Sequence, residues 1–277
     1  MSRKTNTSYV SSKDTVPLIP SAEIAQAAVE AGKMILAADG VRDKHVTAKE
    51  GTANFVTGYD LKIQNYLEER LALILPGATF LAEEGGDDLA KPSDGFTFVI
   101  DPIDGTANFI RGLRNSSVSV GLLYGGNPVF GCVVLPYTGE TFTAEKGRGA
   151  FVNGKPIKVS ERRLKDSIVL FGTSPYYREE LGAATVETFG SFLMNCQDLR
   201  RLGSAAQDLV LTACGRGDAF FELRLSPWDI AAGALILEEA GGVITDIEGR
   251  PLPFDRKTSV LCGNPVNHRE ILELLNK

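Results

Sequence analysis

The stretch Asp101-Pro102-Ile103-Asp104-Gly105-Thr106-Ala107-Asn108-Phe109 directly follows an apolar, strand-like run at residues 96–100. Two carboxylates three positions apart at the end of a strand supply the hard oxygen ligands that Mg²⁺ prefers. The turn that follows, and the helix it can open, supply backbone N–H donors for an anion. Two acids in this place repel each other unless a cation or hydrogen-bond donors neutralise them. The stretch therefore predicts a site that holds a divalent cation and a phosphate together.

The composition restricts the class of protein. The chain has 277 residues, of which 43% are hydrophobic and 23% charged, and its net charge is −6. This length fits one large domain or two closely packed halves. The acidic balance argues against non-specific binding of nucleic acid. The four cysteines form no Cys-x-x-Cys pair, which indicates free thiols of an intracellular protein rather than a zinc site or a disulfide framework.

No segment has the pattern of a targeting signal or a membrane span. Residues 1–20 are polar and lack an apolar centre, so we expect a loose N-terminal arm and no signal peptide. The longest apolar stretch, residues 118–135, is interrupted by Gly125-Gly126-Asn127-Pro128, which indicates two strands and a turn. We therefore expect a soluble cytoplasmic protein that binds neither membranes nor nucleic acid.

The hydrophobic pattern predicts a layered arrangement of helices and sheets. Apolar residues at helical spacing predict one helix that begins at Ser21 and a second that Asp60 caps. Strand-like runs between residues 96 and 159, separated by turn residues, predict an antiparallel meander. The last third alternates strands and helices. We expect a single catalytic unit over residues 21–277, with halves of about 21–163 and 164–277.

Acidic residues stand at three further junctions between an apolar element and a loop or helix start: Asp60, the pair Glu83-Glu84, and Asp229. Asp229 lies in the first turn of a predicted helix, where a carboxylate is electrostatically favourable. Either aspartate would also be explained as a helix cap, and the glutamate pair as a solvated loop. The residues alone leave these alternatives open.

The chain resembles the inositol monophosphatase family, part of the magnesium-dependent, lithium-sensitive sugar-phosphatase superfamily. The resemblance runs from about Ser21 to the C-terminus and is carried by residues 101–106, Trp228-Asp229-Ile230-Ala231-Ala232-Gly233 and Glu239-Ala240-Gly241-Gly242. It implies an α+β fold, a layered α/β/α/β/α sandwich whose N-terminal helices and largely antiparallel sheet precede an α/β half. It also implies a homodimer, and a metal cluster between the two sheets.

The resemblance further implies a role for each matching residue. Two or three Mg²⁺ would be bound, with Asp101 bridging two of them. Thr106 and Asp60, together with Glu83, would serve an attacking water, and the backbone N–H groups of Gly105 and Thr106 would hold the phosphate. The implied mechanism is in-line attack of metal-activated water on phosphorus, without a phosphoenzyme. The implied metal ligands are Glu83, Asp101, Asp104, Asp229 and the backbone carbonyl of Ile103.

The implied substrate contacts lie mainly in the second half of the chain. Glu222 would accept hydrogen bonds from polyol hydroxyls, and the alternative is an ion pair with Arg224 or another base. Arg200 would orient Glu222, and Arg201 could serve instead. The implied set is Asp104, Arg200, Gly203, Ser204, Ala205, Glu222 and Asp229.

Three positions depart from the family pattern: Ala82, Asn54 and Ala107 stand where glycine, aspartate and threonine are common. Asn54 removes a charge near the weakest metal site, which leaves the occupancy of a third Mg²⁺ open. Lys49 lies in the segment that matches a mobile loop over the active site.

The leading hypothesis is a Mg²⁺-dependent phosphomonoesterase that hydrolyses a small polyol or sugar phosphate, foremost myo-inositol monophosphate. Histidinol phosphate, fructose 1,6-bisphosphate and 3′-phosphoadenosine 5′-phosphate are the alternative substrates on the same site. A metal-binding scaffold with weak catalysis is the alternative from a different class. Inhibition by lithium is expected if Li⁺ occupies a Mg²⁺ site.

Overall fold

The structure is a computed structural model that describes residues 18–40, 46–48, 55–84 and 91–276. Within these ranges the chain forms helices and strands that alternate in blocks. The helices are α1 (Ser21–Ala37), α2 (Gly58–Ile74), α3 (Thr106–Arg111), α4 (Arg178–Asn195), α5 (Ala205–Ala213), α6 (Pro227–Glu239) and α7 (Pro265–Leu275). The strands are β1 (Thr47–Ala48), β2 (Phe55–Val56), β3 (Thr79–Ala82), β4 (Phe96–Asp104), β5 (Ser117–Tyr124), β6 (Asn127–Leu135), β7 (Glu140–Glu145), β8 (Ala150–Val152), β9 (Lys155–Pro156), β10 (Ile168–Phe171), β11 (Asp198–Arg200), β12 (Ala219–Leu225), β13 (Val243–Thr245) and β14 (Thr258–Gly263).

The first sheet has seven strands in the order β3-β4-β5-β6-β7-β8-β9. From β4 to β9 each strand pairs antiparallel with the next, which confirms the predicted meander. The strand β3 adds to the edge in parallel with β4. The pairing of β4 with β5 is irregular between Asp101 and Asp104. This irregularity bends the strand at the two carboxylates.

The second sheet has five strands in the order β11-β10-β12-β14-β13. The strand β10 pairs in parallel with both β11 and β12, while β14 is antiparallel to β12 and β13. Parallel neighbours need crossover connections. The helices α4 and α5 provide them, and this explains why the second half alternates strand and helix.

Three helical layers separate and cover the sheets. The helices α1 and α2 pack with the outer face of the first sheet, where Ile24 and Leu67 meet Phe98 and Val120. The helices α5 and α6 fill the space between the sheets, and α4 and α7 cover the outer face of the second. In the last layer Phe192 packs with Phe171 and Phe221. The order is α/β/α/β/α, which confirms the predicted fold.

Two glycines of the first sheet permit α6 to lie directly on it. A Cβ atom at Gly121 would stand 2.9 Å from Ala231 Cβ, and one at Gly131 would stand 2.5 Å from the carbonyl oxygen of Ala232. Side chains of any size would therefore push the helix away from the sheet. This contact fixes the first turn of α6, which carries Asp229, against the end of β4.

The helix boundaries correct one detail of the sequence prediction. The helix α2 begins at Gly58 with Thr57 as its N-cap residue, so Asp60 is the third residue of the helix and caps it from inside, in a capping box with Thr57. The helix α6 begins at Pro227, so Asp229 lies in its first turn as predicted. Residues 1–17 lie outside the described residues. None of the described helices is long and apolar enough to cross a membrane, and the four cysteines are free.

Candidate metal centre and substrate site

Three carboxylates from two elements form a cluster between the sheets. Asp101 and Asp104 come from the bent end of β4, and Asp229 comes from the first turn of α6. One oxygen from each residue lies within 4.8 Å of the others. Asp101 is 2% exposed and Asp104 is 7% exposed, so water screens little of their mutual repulsion. This cluster is called the acidic centre below.

The electrostatics of the acidic centre favour a bound cation. Burial and the neighbouring charges of Glu83, Asp104 and Asp229 raise the pKa of Asp101 well above its usual range. Burial, Asp104 and Glu83 raise the pKa of Asp229 in the same way. Buried carboxylates that repel one another strongly destabilise the folded protein unless they are protonated or paired with positive charge. An all-oxygen donor set of this kind fits Mg²⁺, which prefers hard ligands.

Asp104 joins the two halves of the site. Its Oδ2 atom accepts hydrogen bonds from Ser204 Oγ at 2.6 Å, from the backbone N–H of Ala206 at 2.7 Å and from Ser117 Oγ at 3.3 Å. Ser204 is the N-cap of α5, so a carboxylate of the first sheet lies at the positive end of a helix from the second half. Burial nevertheless raises the pKa of Asp104. The predicted turn at 203–205 is therefore tied to the acidic centre.

Asp229 and Asp60 both occupy the third position of a helix, and each uses one oxygen to bind the residue before the helix. Asp229 Oδ2 accepts from the Ser226 N–H at 2.6 Å. Asp60 Oδ2 accepts from the Thr57 N–H at 2.7 Å and from Thr57 Oγ1 at 2.5 Å. The capping role and the site role are compatible in Asp60, because its Oδ2 binds Thr57 while its Oδ1 lies 3.3 Å from Thr106 Oγ1. Asp229 likewise bonds to the start of its helix through Oδ2.

Thr106 lies beside Asp60 at the start of α3. Its hydroxyl oxygen is 3.0 Å from the carbonyl oxygen of Ile103 and 3.3 Å from Asp60 Oδ1. Burial raises the pKa of Asp60, although Thr57 opposes the rise. Gly105, with φ of +88°, turns the chain into α3, and a Cβ atom there would stand 3.0 Å from the Gly203 carbonyl oxygen. Glycine is required here for its backbone angle and for this close approach.

Helix α2 also positions the predicted glutamate pair. The Gln64 side chain holds the backbone of Glu84: its Oε1 accepts the Glu84 N–H at 2.8 Å, and its Nε2 donates to the Glu84 carbonyl. The Glu83 N–H donates to the Ile100 carbonyl at 3.2 Å. The Glu83 charge raises the pKa of both Asp101 and Asp229. Glu83 therefore belongs to the surroundings of the acidic centre, and the solvated-loop alternative does not describe it.

Glu222 is the buried acid of β12 and is 8% exposed. Its Oε1 atom accepts the Ser174 N–H at 2.7 Å. Gly172 leaves space for the carboxylate, since a Cβ atom at that position would stand 2.0 Å from Glu222 Oε2. Burial raises the pKa of Glu222 to about 7, against the lowering effect of Ser174 and Arg201. The alternative ion pair with Arg224 is not formed, because Arg224 pairs with Glu180 at 2.6 Å.

The structure does not bring Arg200 to Glu222. Arg200 Nη1 pairs with Asp198 at 2.5 Å, and half of its side chain is exposed. The next residue, Arg201, follows the end of β11 and is also exposed, and its Nη2 lies 3.4 Å from Thr173 Oγ1. Its guanidinium lies against Gly203, where a Cβ atom would stand 2.3 Å from Nη1, and its charge acts on Glu222. Arg201 replaces Arg200 as the base beside Glu222.

Two residues near the site were missed by the sequence reasoning. Asp208 on α5 is 1% exposed, and among the described residues its Oδ1 is a buried oxygen without a hydrogen-bond partner. The sequence feature that could have revealed Asp208 is a charged residue within a mostly apolar helix. Tyr176 lies in a short 3-10 helix, Pro175–Tyr177, and its sequence context gave no signal. The predictions for Lys49 and Asn54 lie outside the described residues.

Comparison with known proteins gives a consistent assignment. The model of the inositol monophosphatase family matches residues 19–277. The inositol-1-monophosphatase of Rhizobium meliloti is 36% identical over 254 residues, which cover 91% of this chain and 94% of that protein. The Nus factor SuhB of Salmonella typhimurium is 34% identical over 240 residues, which cover 87% and 89% respectively.

Among solved structures, the extragenic suppressor protein SuhB from Bartonella henselae has a TM-score of 0.86 to this chain. The two chains are 32% identical, and the match covers 92% of this chain and 98% of the Bartonella chain. The family match spans both sheets, the acidic centre and the residues around Glu222. With the layered fold and the converging carboxylates, it shows that the chain belongs to the inositol monophosphatase family.

Proposed function

We propose that this protein is a Mg²⁺-dependent phosphomonoesterase that hydrolyses a small polyol phosphate, with myo-inositol monophosphate as the leading substrate. The observation that carries the proposal is the acidic centre with the Thr106–Asp60 pair beside it. Membership of the family supports a phosphatase. The name of the Rhizobium relative supports an inositol phosphate as the substrate.

The residues that would hold Mg²⁺ are the four carboxylates around the acidic centre and one backbone carbonyl. Four negative charges match the charge of two divalent cations, so we propose two ions. When bound, Mg²⁺ neutralises charge on the phosphate and makes water a better nucleophile. The proposed ligands are Glu83, Asp101, Asp104, Asp229 and the Ile103 carbonyl.

Thr106 and Asp60 would orient the attacking water. A hydroxyl has one proton to donate and lone pairs that accept. If the Thr106 hydroxyl donates its hydrogen bond to Asp60 Oδ1, 3.3 Å away, its oxygen is free to accept a hydrogen bond from the water. The N–H groups of Gly105 and Thr106 would bind the phosphate, because the first N–H groups of a helix lack partners within it.

Glu222 would hold the alcohol part of the substrate. Its carboxylate is fixed by Ser174 and can accept hydrogen bonds from neighbouring hydroxyls of a polyol. The turn of Gly203, Ser204 and Ala205 would form the adjoining wall, since Ser204 is bound to Asp104 at 2.6 Å. Arg201 would balance the charge of Glu222.

Phosphate release from a panel of esters tests this proposal. The panel contains inositol 1-phosphate, fructose 1,6-bisphosphate, histidinol phosphate and 3′-phosphoadenosine 5′-phosphate, each with Mg²⁺ or with EDTA. We expect hydrolysis only with Mg²⁺, inhibition by Li⁺, and the highest kcat/KM for inositol 1-phosphate. A folded, Mg²⁺-binding protein that hydrolyses none of the esters would contradict the proposal and favour a metal-binding scaffold. A homodimer in the cytoplasm stays a prediction, which analytical ultracentrifugation and cell fractionation would check.

A further inference from the structure

Two turns are in direct contact where the phosphate side of the proposed site meets its alcohol side. The turn at Gly105 carries N–H groups proposed for the phosphate, and the turn of Gly203, Ser204 and Ala205 is the proposed wall for the alcohol. A Cβ atom at Gly105 would stand 3.0 Å from the Gly203 carbonyl oxygen and 3.3 Å from Ser204 Cβ. The relative position of the two turns therefore sets the distance between a bound phosphate and its alcohol.

The side-chain amide of Asn108 joins these two turns. Asn108 is the third residue of α3 and is 5% exposed. Its Nδ2 atom donates to the Leu202 carbonyl oxygen at 2.8 Å and lies 3.3 Å from the Gly203 carbonyl oxygen. The same nitrogen donates to the Asn115 carbonyl oxygen at 2.7 Å. An amide nitrogen has two N–H donors, so three carbonyls share both of them. All three neighbours are acceptors, which requires the nitrogen and not the oxygen of the amide at this place.

Asn115, between α3 and β5, supplies a second donor to the same peptide. Its Nδ2 atom donates to the Leu202 carbonyl oxygen at 2.8 Å. Its Oδ1 atom accepts a hydrogen bond from Gln207 Nε2 of α5. At the other end of the turn, Ser204 Oγ is bound to Asp104 at 2.6 Å. The turn is therefore held at both ends by side chains from the first half of the chain.

The bound carbonyls also fix the N–H groups that follow them. The peptide bonds of the described residues are trans, and in a trans peptide the C=O and N–H bonds point in opposite directions. Because the carbonyls of Leu202 and Gly203 are directed at Asn108, the N–H groups of Gly203 and Ser204 are directed away from α3. The amide of Asn108 thus sets the orientation of two successive peptides of the alcohol wall.

We propose that Asn108 and Asn115 are positioning residues, whose side-chain amides hold the peptide 202–203 at the distance from Gly105 that a small polyol phosphate requires. This inference rests on the proposed function. Asn108 acts through the turn and not on the substrate, since both of its N–H donors are used by backbone carbonyls. Loss of either amide frees one end of the alcohol wall and leaves the carboxylates of the acidic centre in place. The alcohol part of the ester is then bound less well, while the phosphate part is bound as before.

Two variants remove the amides in different ways. In Asn108→Ala, KM for inositol 1-phosphate should rise about 10- to 100-fold, as expected when a binding group is misplaced by about 1 Å, while kcat changes less than about threefold. Asn115→Asp keeps the size of the side chain and the acceptor for Gln207 but loses the donor. Its KM should rise about 3- to 10-fold, as for one lost hydrogen bond, because Asn108 still binds the peptide. The matched control is Asn127→Ala. Asn127 Nδ2 donates to the Gly125 carbonyl oxygen at 3.1 Å in an exposed turn, and its variant should behave as wild type.

Inorganic phosphate separates positioning of the wall from a general loss of structure. Phosphate has no alcohol part, so its competitive inhibition constant should stay within about twofold of the wild-type value in both variants. Trp228, the single tryptophan of the chain, precedes Asp229, so its fluorescence should report Mg²⁺ binding, which we expect to be unchanged.

The outcomes distinguish this inference from the proposed function. If wild type is active and both variants keep its KM, this inference is overturned and the proposed function stands. The same holds if KM and the inhibition constant of phosphate rise by equal factors, because the amides would then support the whole site and not the alcohol wall. If wild type hydrolyses no ester, the proposed function fails and this inference fails with it.

Discussion

Thr106 Oγ1 lies 3.3 Å from Asp60 Oδ1, although the two residues are 46 positions apart and belong to the first turns of different helices. The contact is made because α2 and the bent end of β4 meet beside the acidic centre. Asp60 is already bound to Thr57, so its orientation is fixed before any substrate arrives. A preorganised hydroxyl–carboxylate pair of this kind is suited to orient a nucleophile.

Replacing Thr106 by valine removes the hydroxyl at nearly constant volume. We expect kcat to fall by about 10²- to 10⁴-fold, with a smaller effect on KM, because the hydroxyl acts on the nucleophile. Steady-state kinetics with Mg²⁺ checks this. Thr106→Ser keeps the hydroxyl and should retain most of the activity. Equal loss of kcat in the serine and valine variants would show that the hydroxyl alone does not account for the role of Thr106.

The pH dependence of substrate binding should follow Glu222. Its pKa is raised to about 7 by burial, so the ionised fraction grows as pH rises from 6 to 8. The ionised carboxylate accepts more hydrogen bonds from a polyol, and KM should therefore fall over this range. Glu222→Gln has no titrating group, so its KM should be higher and should lose this fall. Parallel KM profiles of the two proteins would exclude Glu222 as the titrating contact.

Gly172 should be essential for the position of Glu222. In Gly172→Ala the new Cβ atom would stand 2.0 Å from Glu222 Oε2, so the carboxylate must move. We expect a higher KM, comparable with that of Glu222→Gln, and unchanged Mg²⁺ binding by calorimetry. The control is Gly182→Ala on α4, where a Cβ atom meets nothing within 4 Å. A Gly172→Ala enzyme with the KM of wild type would show that Glu222 does not contact the substrate.

Asp208 should destabilise the protein at neutral pH. Burial, Glu222 and Asp104 raise its pKa well above the usual range. An acid whose pKa is higher in the folded than in the unfolded protein stabilises the folded state fully when the pH is below the unfolded pKa. This stabilisation is lost as the pH rises towards the folded pKa. Asp208→Asn should therefore be more stable than wild type at pH 7, by about 1–3 kcal/mol for an unsatisfied buried group.

At pH near 2 the two proteins should unfold alike, because Asp208 is then protonated in both states, the pKa of an aspartate in the unfolded chain being about 3.9. Thermal unfolding at both pH values, in EDTA, measures the difference. The exposed Asp94→Asn variant is the reference and should match wild type at each pH. Equal unfolding temperatures of Asp208→Asn and wild type at pH 7 would mean that the Asp208 carboxylate does not destabilise the folded protein.

The residues of the site that could be predicted are those that a short stretch of sequence identifies. Asp101 and Asp104 follow an apolar strand and precede a glycine turn, and these features are read within ten residues. By contrast, the choice between Arg200 and Arg201 depends on the register of β11 against β10, where Leu170 pairs with Arg200. A strand of three residues at a sheet edge has too short a pattern to show its register.

Tyr176 is the clearest case of a position that the sequence does not reveal. Its segment is held beside Glu222 because Ser174 binds Glu222 and Lys257 binds Tyr177, and these partners are 48 and 80 residues away along the chain. Asp60 and Asp229 were ambiguous for a different reason. Each carboxylate has two oxygens, and the sequence cannot show that a residue that caps a helix also belongs to the site.

We propose that the acidic centre binds magnesium and that a phosphate ester is hydrolysed there. The most direct test is phosphate release from inositol 1-phosphate by wild type, Asp101→Asn and the exposed control Asp94→Asn, each with Mg²⁺ and with EDTA. We predict that wild type and Asp94→Asn release phosphate only with Mg²⁺. Asp101→Asn should stay folded and lose more than about a hundredfold in rate. Release of phosphate in EDTA, or by Asp101→Asn at the wild-type rate, would contradict this account.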